Sequence, residues 1–167
     1  MKLSDRRSIV AIDPMPRGLA YVFFEHGSLL DFGARWLRGE ISALAVLDSL
    51  LDGCAADLLI VEDPEAAGCR LGPRARMFLK DSIKHVRRRG IAVEVVARAE
   101  VKKSWQEAGV RSREAIAPLI ASRFPELQPL VPPRRKVYVT ESDRANIFDA
   151  MTLLLHRFSS ISELLGR

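Results

Sequence analysis

Residues 8–24 read Ser8-Ile-Val-Ala-Ile-Asp-Pro-Met-Pro-Arg-Gly-Leu-Ala-Tyr-Val-Phe-Phe24 (SIVAIDPMPRGLAYVFF). The run Ile9–Ile12 is apolar and mostly β-branched, as in a strand covered on both faces. It ends on Asp13-Pro14, and a second strand-like run, Gly18–Glu25, begins shortly afterwards. A third, Leu29–Leu37, follows the turn residues His26-Gly27-Ser28. Three such runs joined by short turns predict an antiparallel meander. Asp13 has two readings at this level. It is a turn former before a proline, or it is half of a metal site at a strand end.

The composition bounds both readings. A chain of 167 residues, 48% hydrophobic and 28% charged, suits one globular domain spanning 1–167. No stretch reaches the roughly 18 uncharged apolar residues of a membrane span. The charged start Met1–Arg7 leaves no room for a signal-peptide core, so a cytoplasmic location is expected. Cys54 and Cys69 are isolated and only three histidines are present, which excludes a recognisable zinc set. Any metal would need oxygen ligands.

The net charge is +5, which mildly favours a polyanionic partner. Its distribution says more. Arg70, Arg74, Arg76, Lys80, Lys84, Arg87, Arg88 and Arg89 face one acid, Asp81, within a single stretch. Arg98, Lys102, Lys103, Arg111, Arg113 and Arg134-Arg-Lys136 add to it. Each cluster is either a solvated helix face or part of a phosphate-binding surface.

Beyond the meander the periodicity changes. Ile41–Leu51 has helical apolar spacing with Gly53 as its stop, and Asp57–Asp63 (DLLIVED) reads as a central strand. Pro73–Arg89 reads as a basic helix with Met77, Phe78, Ile83 and Val86 inward, ended by Gly90. Ala92–Ala97 is the fifth strand. A helix from Ser112 towards Phe124 contains Pro118, which should kink it or mark its first turn. Pro125, Pro129 and Pro132-Pro133 predict an extended connection, and a long helix spans about Ser142 to Leu165. The predicted order is βββ-α-β-α-β-α-α, an α/β fold with a five-stranded mixed sheet flanked by helices.

The acids fall at element ends. Asp13 closes the first strand, Glu62 and Asp63 close the fourth, and Asp149 lies near the start of the last helix. Sites in α/β sheets form outside strand ends, and three or four carboxylates are what two Mg²⁺ or Mn²⁺ ions need. Each acid also has a structural role open to it as a turn or loop residue. Asp149 is the least ordinary, since Ile147-Phe148-Asp149-Ala150-Met151 sets an acid among core residues.

With "VAIDP" on strand one, "LLIVED" on strand four and "FDAMTLLLH" on the last helix, the chain resembles the RNase H-like nuclease superfamily. Within it the resemblance is to RuvC-type Holliday-junction resolvases. The resemblance implies an RNase H-like fold and a two-metal endonuclease using Mg²⁺ or Mn²⁺ on structured DNA, branched or Holliday-junction, in recombination and repair. It implies Asp13, Glu62 and Asp149 as catalytic metal ligands, and a homodimer that makes two symmetric cuts.

Two departures stand out. Met15-Pro16 replaces the glycine that follows Asp-Pro in the family, and Asn146 occupies the place of the second C-terminal acid. Residues 146 and 149 lie about 60° apart around a helix, so Asn146 can reach the same site. Asp143 is about 120° off that face and converges only from the non-helical N-cap region. Asp143 is the preferred fourth carboxylate, followed by Glu141, with Asn146 and Asp63 as further candidates. Arg70, Arg74, Arg76, Lys102, Lys103 and Arg113 follow the relevant strand ends and are the expected phosphate contacts. Trp36 and Trp105 are either base-stacking or core residues, with the core favoured, and His156 is a packed or surface residue before it is a proton shuttle. The alternative to a nuclease is a nucleic-acid-binding module of the same fold with a weak or inactive site.

Overall fold

The structure is a computed structural model that describes residues 8–132, 144–158 and 166. Its centre is a five-stranded sheet of order β3-β2-β1-β4-β5. β1 (Ser8–Met15), β2 (Gly18–Glu25) and β3 (Ser28–Trp36) form the antiparallel meander, while β4 (Leu58–Glu62) and β5 (Ala92–Val96) add in parallel beside β1. The β2–β3 turn has both central residues, His26 and Gly27, at positive φ (49° and 83°). That geometry matches the twist of a tight hairpin.

β1 runs further than its apolar run suggests. Asp13 and Pro14 are strand residues paired with Ala20 and Leu19, and the chain reverses at Pro16-Arg17. Asp13 is therefore not turn punctuation. β1 pairs with β4 only over Ile9–Ala11, so its last residues run past the parallel ladder. Pro14 sits in that stretch, where a missing ladder donor costs least. Gly18 is required opposite Met15, because a Cβ there would meet the Arg35 carbonyl oxygen at 2.0 Å.

Helices cover both faces, which is why every β1 residue is buried. One core joins Ile9, Ala11, Val22 and Ile60 to Met151, Leu154, Trp105 and Ile120. The other joins Val10, Ile12, Leu59 and Val61 to Leu47, Leu51, Leu79 and Val86. The period-2 alternation of the strands thus sorts odd and even positions of β1 into different layers. On the second face lie α1 (Ala43–Gly53), capped by Ser42, and α2 (Pro73–Arg88). Asp48 of α1 holds His85 and Arg89 beside α2. Met77 is 60% exposed rather than inward, since Leu79, Ser82 and Val86 form the buried stripe.

The first face carries α4 (Arg113–Arg123), α5 (Arg144–Phe158) and a helix absent from the predicted order, α3 (Arg98–Glu107). Its buried Val101 and Trp105 sit four apart, and Gly109 follows at φ 88°. α4 continues through Pro118. The proline-rich connection is not extended at its start, because Pro125–Leu130 forms a 3-10 helix that buries Leu127. Among the described residues, no helix is long and apolar enough to cross a membrane.

Candidate active site

Asp13 shares its side of β1 with Ile9 and Ala11, and Glu62 shares its side of β4 with Leu58 and Ile60. Both carboxylates therefore stand on the α5 face at the C-terminal ends of adjacent parallel strands, 4% and 3% exposed. α5 crosses this face and adds Asn146 and Asp149. The Asn146 amide Nδ2 donates to Asp13 Oδ2 at 2.7 Å. The helical spacing expected of residues 146 and 149 is realised, with Asn146 acting as a donor.

The residue that ties the cluster together is Arg98, the first residue of α3. Its Nη2 lies 3.2 Å from both Asp13 Oδ1 and Glu62 Oε2, and its Nε lies 3.3 Å from Glu62 Oε2. Its Nη1 donates to Thr152 Oγ1 at 3.0 Å and to the Asp149 carbonyl at 3.3 Å. Thr152, itself buried, donates its own hydroxyl hydrogen bond to the Asp149 carbonyl at 2.7 Å. Arg113 pairs with the Asp149 carboxylate. Cys69 Sγ approaches Glu62 Oε1 at 3.8 Å.

Burial pushes the Asp13 carboxyl up to about 7, and the nearby charges of Asp149 and Glu62 push the same way. Arg98 and the Asn146 amide oppose the rise without cancelling it. Two carboxylates packed side by side away from water destabilise a fold unless something compensates their charge. In this structure the compensating charge is the Arg98 guanidinium.

The oxygen-only donors suit a hard cation such as Mg²⁺ or Mn²⁺ in chemistry. The arrangement does not fit one. Among the described residues no three Asp, Glu, His or Cys side chains gather closely enough to hold a metal ion. Arg98 stands between Asp13 and Glu62, and Arg113 holds Asp149. Asp143 and Glu141, the preferred fourth carboxylates, lie outside the described residues.

Asp63 takes the turn role. Its Oδ1 accepts from the Glu65 N–H at 2.9 Å, and its position on β4's continuation is opposite in parity to Glu62. Arg70 and Arg74 are exposed beside the end of β4. Arg76 binds the Cys69 carbonyl at 2.6 Å and the Leu71 carbonyl at 3.0 Å, which ties down the loop carrying Arg70. Lys102 and Lys103 are exposed on α3, and Lys103 lies 3.8 Å from Glu107. Trp105 is core, at 2% exposure, whereas Trp36 is 42% exposed. Trp36 pairs with Gly18, two rows beyond the Asp13–Ala20–Ala34 row and therefore on the same face. His156 contacts the Ser104 hydroxyl at 3.0 Å and braces α5 against α3.

Arg98 is the member of this cluster that reads in the sequence as one more basic residue. The available signal was its place immediately after the strand that flanks the Glu62 strand.

The mixed sheet of this order and the helices on both faces define an RNase H-like α/β fold. Among solved structures its fold is that of RuvC from Thermus thermophilus. One RuvC structure is 13% identical with a TM-score of 0.54, covering 95% of this chain and 96% of that chain. Another, RuvC in complex with a Holliday junction substrate, is 12% identical with a TM-score of 0.58 and covers 96% of each chain. At this identity the likeness is one of fold. No protein-family model and no curated protein matches the sequence.

Proposed function

We propose that this chain is a nuclease of RuvC-like fold that acts on structured DNA, including branched or four-way junctions. The observation that carries the proposal is the side-by-side burial of Asp13 and Glu62 at the ends of β1 and β4, with Asp149 of α5 near enough for its charge to act on Asp13. Burying two acids together does little for stability, so their placement is best understood as serving a reaction on phosphodiesters. Arg70, Arg74, Lys102, Lys103 and Arg113 would hold the backbone on either side, and Trp36 would offer an exposed ring to an unstacked base. The proposal includes a homodimer, since paired cuts need two sites, and sedimentation measures that directly.

The expected Mg²⁺ or Mn²⁺ would have to take Asp13, Glu62 and Asp149 from the arginines that now hold them. A second reading therefore has its own support. Arg98 bridging Asp13 and Glu62, with the Asn146 amide on Asp13, suits a nucleic-acid-binding module without metal chemistry.

The decisive assay incubates a labelled four-way junction and the matching linear duplex with wild type, Asp13→Asn and Glu62→Gln, with Mg²⁺, Mn²⁺ or chelator. Metal-dependent cutting by wild type, lost at least 100-fold in both variants, supports the nuclease. Tight junction binding without cutting under any of these conditions rejects it in favour of the binding module.

A further inference from the structure

We infer that Arg98 is the resident cation of the acidic site, occupying the position between Asp13 and Glu62 that a divalent ion would otherwise take. The inference stands apart from the nuclease proposal, because it concerns how this chain neutralises its own buried acids.

Three observations carry it. One nitrogen, Nη2, is 3.2 Å from an oxygen of each carboxylate, so the guanidinium bridges the pair rather than serving one member. The far side of the same group is held by Thr152 Oγ1 and the Asp149 carbonyl. An arginine merely drawn to negative charge needs no such anchors, whereas a built-in cation does. Finally, Arg98 begins α3 directly after β5, and Asp63 N donates to the Val96 carbonyl at 2.9 Å. The backbone that launches the arginine is thereby locked to the strand end that carries Glu62.

The planar fork of arginine, with donors in several directions, can meet two carboxylates, a hydroxyl and a carbonyl at once; the ammonium of lysine cannot. The site thus already holds a positive charge between its two acids before any ion arrives. A divalent ion would bind by exchange with the guanidinium rather than by filling an open cage.

The test measures binding of Mn²⁺ alone, by electron paramagnetic resonance of the free ion, to metal-free wild type, Arg98→Gln, Arg98→Ala and Arg98→Gln/Asp13→Asn. Melting temperatures are taken with Mn²⁺ and with chelator at matched ionic strength. Either neutral variant should bind Mn²⁺ at least tenfold more tightly than wild type. Each should also melt below wild type in chelator and regain more from Mn²⁺ than wild type does. The double variant should lose the gain.

Equal Mn²⁺ affinity in wild type and the neutral variants overturns the inference, as does a gain that survives Asp13→Asn. Arg98→Gln keeps the length of the stem and guards against a folding failure of Arg98→Ala. Junction cleavage is read separately. An Mn²⁺ difference without cleavage removes the nuclease proposal and leaves Arg98 as resident cation; cleavage without an Mn²⁺ difference does the reverse.

Discussion

Asn146 Nδ2 donates to Asp13 Oδ2 at 2.7 Å, joining α5 to β1 across 133 residues of sequence. A metal ligand would turn its amide oxygen to the site, but this amide turns its donor to a carboxylate. Asn146 and Arg98 therefore divide Asp13 between them, one on each oxygen.

Replacing that donor with an acid should reverse its effect. Asn146→Asp removes a hydrogen bond and sets a further carboxylate against Asp13, so the metal-free protein should lose about 1–3 kcal/mol. Mn²⁺ should restore more stability to this variant than to wild type. Thermal melts with chelator and with Mn²⁺ check both parts.

Stability should depend on pH through Asp13. Its carboxyl is raised from 3.8 to about 7 in the folded chain, so between these values the folded state binds more protons than the unfolded one. The slope of unfolding free energy with pH is then negative, at most about 1.4 kcal/mol per unit from this group. The Asp13 contribution favours folding below pH 4, fades as pH rises to 7, and is flat above. Asp13→Asn should flatten this part of the profile and melt higher than wild type at pH 8. Denaturant titrations of both proteins from pH 4 to 8 measure the difference.

Trp36 is exposed on the face of the sheet that carries Asp13, so truncating it removes no core. If bases stack there, Trp36→Ala should weaken junction or single-strand binding by about 1–3 kcal/mol, roughly 5- to 150-fold, with an unchanged melting temperature. Fluorescence anisotropy at fixed salt measures it, and unchanged affinity would remove Trp36 from the DNA-binding surface.

The β1–β2 hairpin that holds Asp13 depends on Gly18. A methyl group there meets the Arg35 carbonyl oxygen at 2.0 Å, and backbone has to move to admit it. Gly18→Ala should cost about 1–3 kcal/mol, whereas Gly72→Ala, where a Cβ meets nothing within 4 Å, provides the control. Chemical denaturation of the two variants compares them.

Much of this architecture is written in local pattern. The alternating and continuous apolar runs give the five strands, and period 2 places Asp13 and Glu62 on defined faces of β1 and β4. The 3.6-residue repeat sets Asn146 beside Asp149. Those regularities are properties of neighbours in sequence, and they survive folding because the sheet and α5 keep them. Other features depend on partners far along the chain. α3 buries only Val101 and Trp105, too thin a stripe to stand out against its charged residues. The turn reading of Asp13 stays open in the sequence because nothing near it announces that β2 pairs with the strand through Pro14.

Arg98 is the clearest case. Its partners lie 36, 54 and 85 residues away, at Glu62, Thr152 and Asp13. The sequence by itself determined which acids lie near the ends of β1 and β4 and which residues share a face of the last helix. Only the tertiary structure decided that a guanidinium, rather than open space, stands between Asp13 and Glu62. That choice follows from the parallel pairing of β4 with β5 and the packing of α5 across both strand ends.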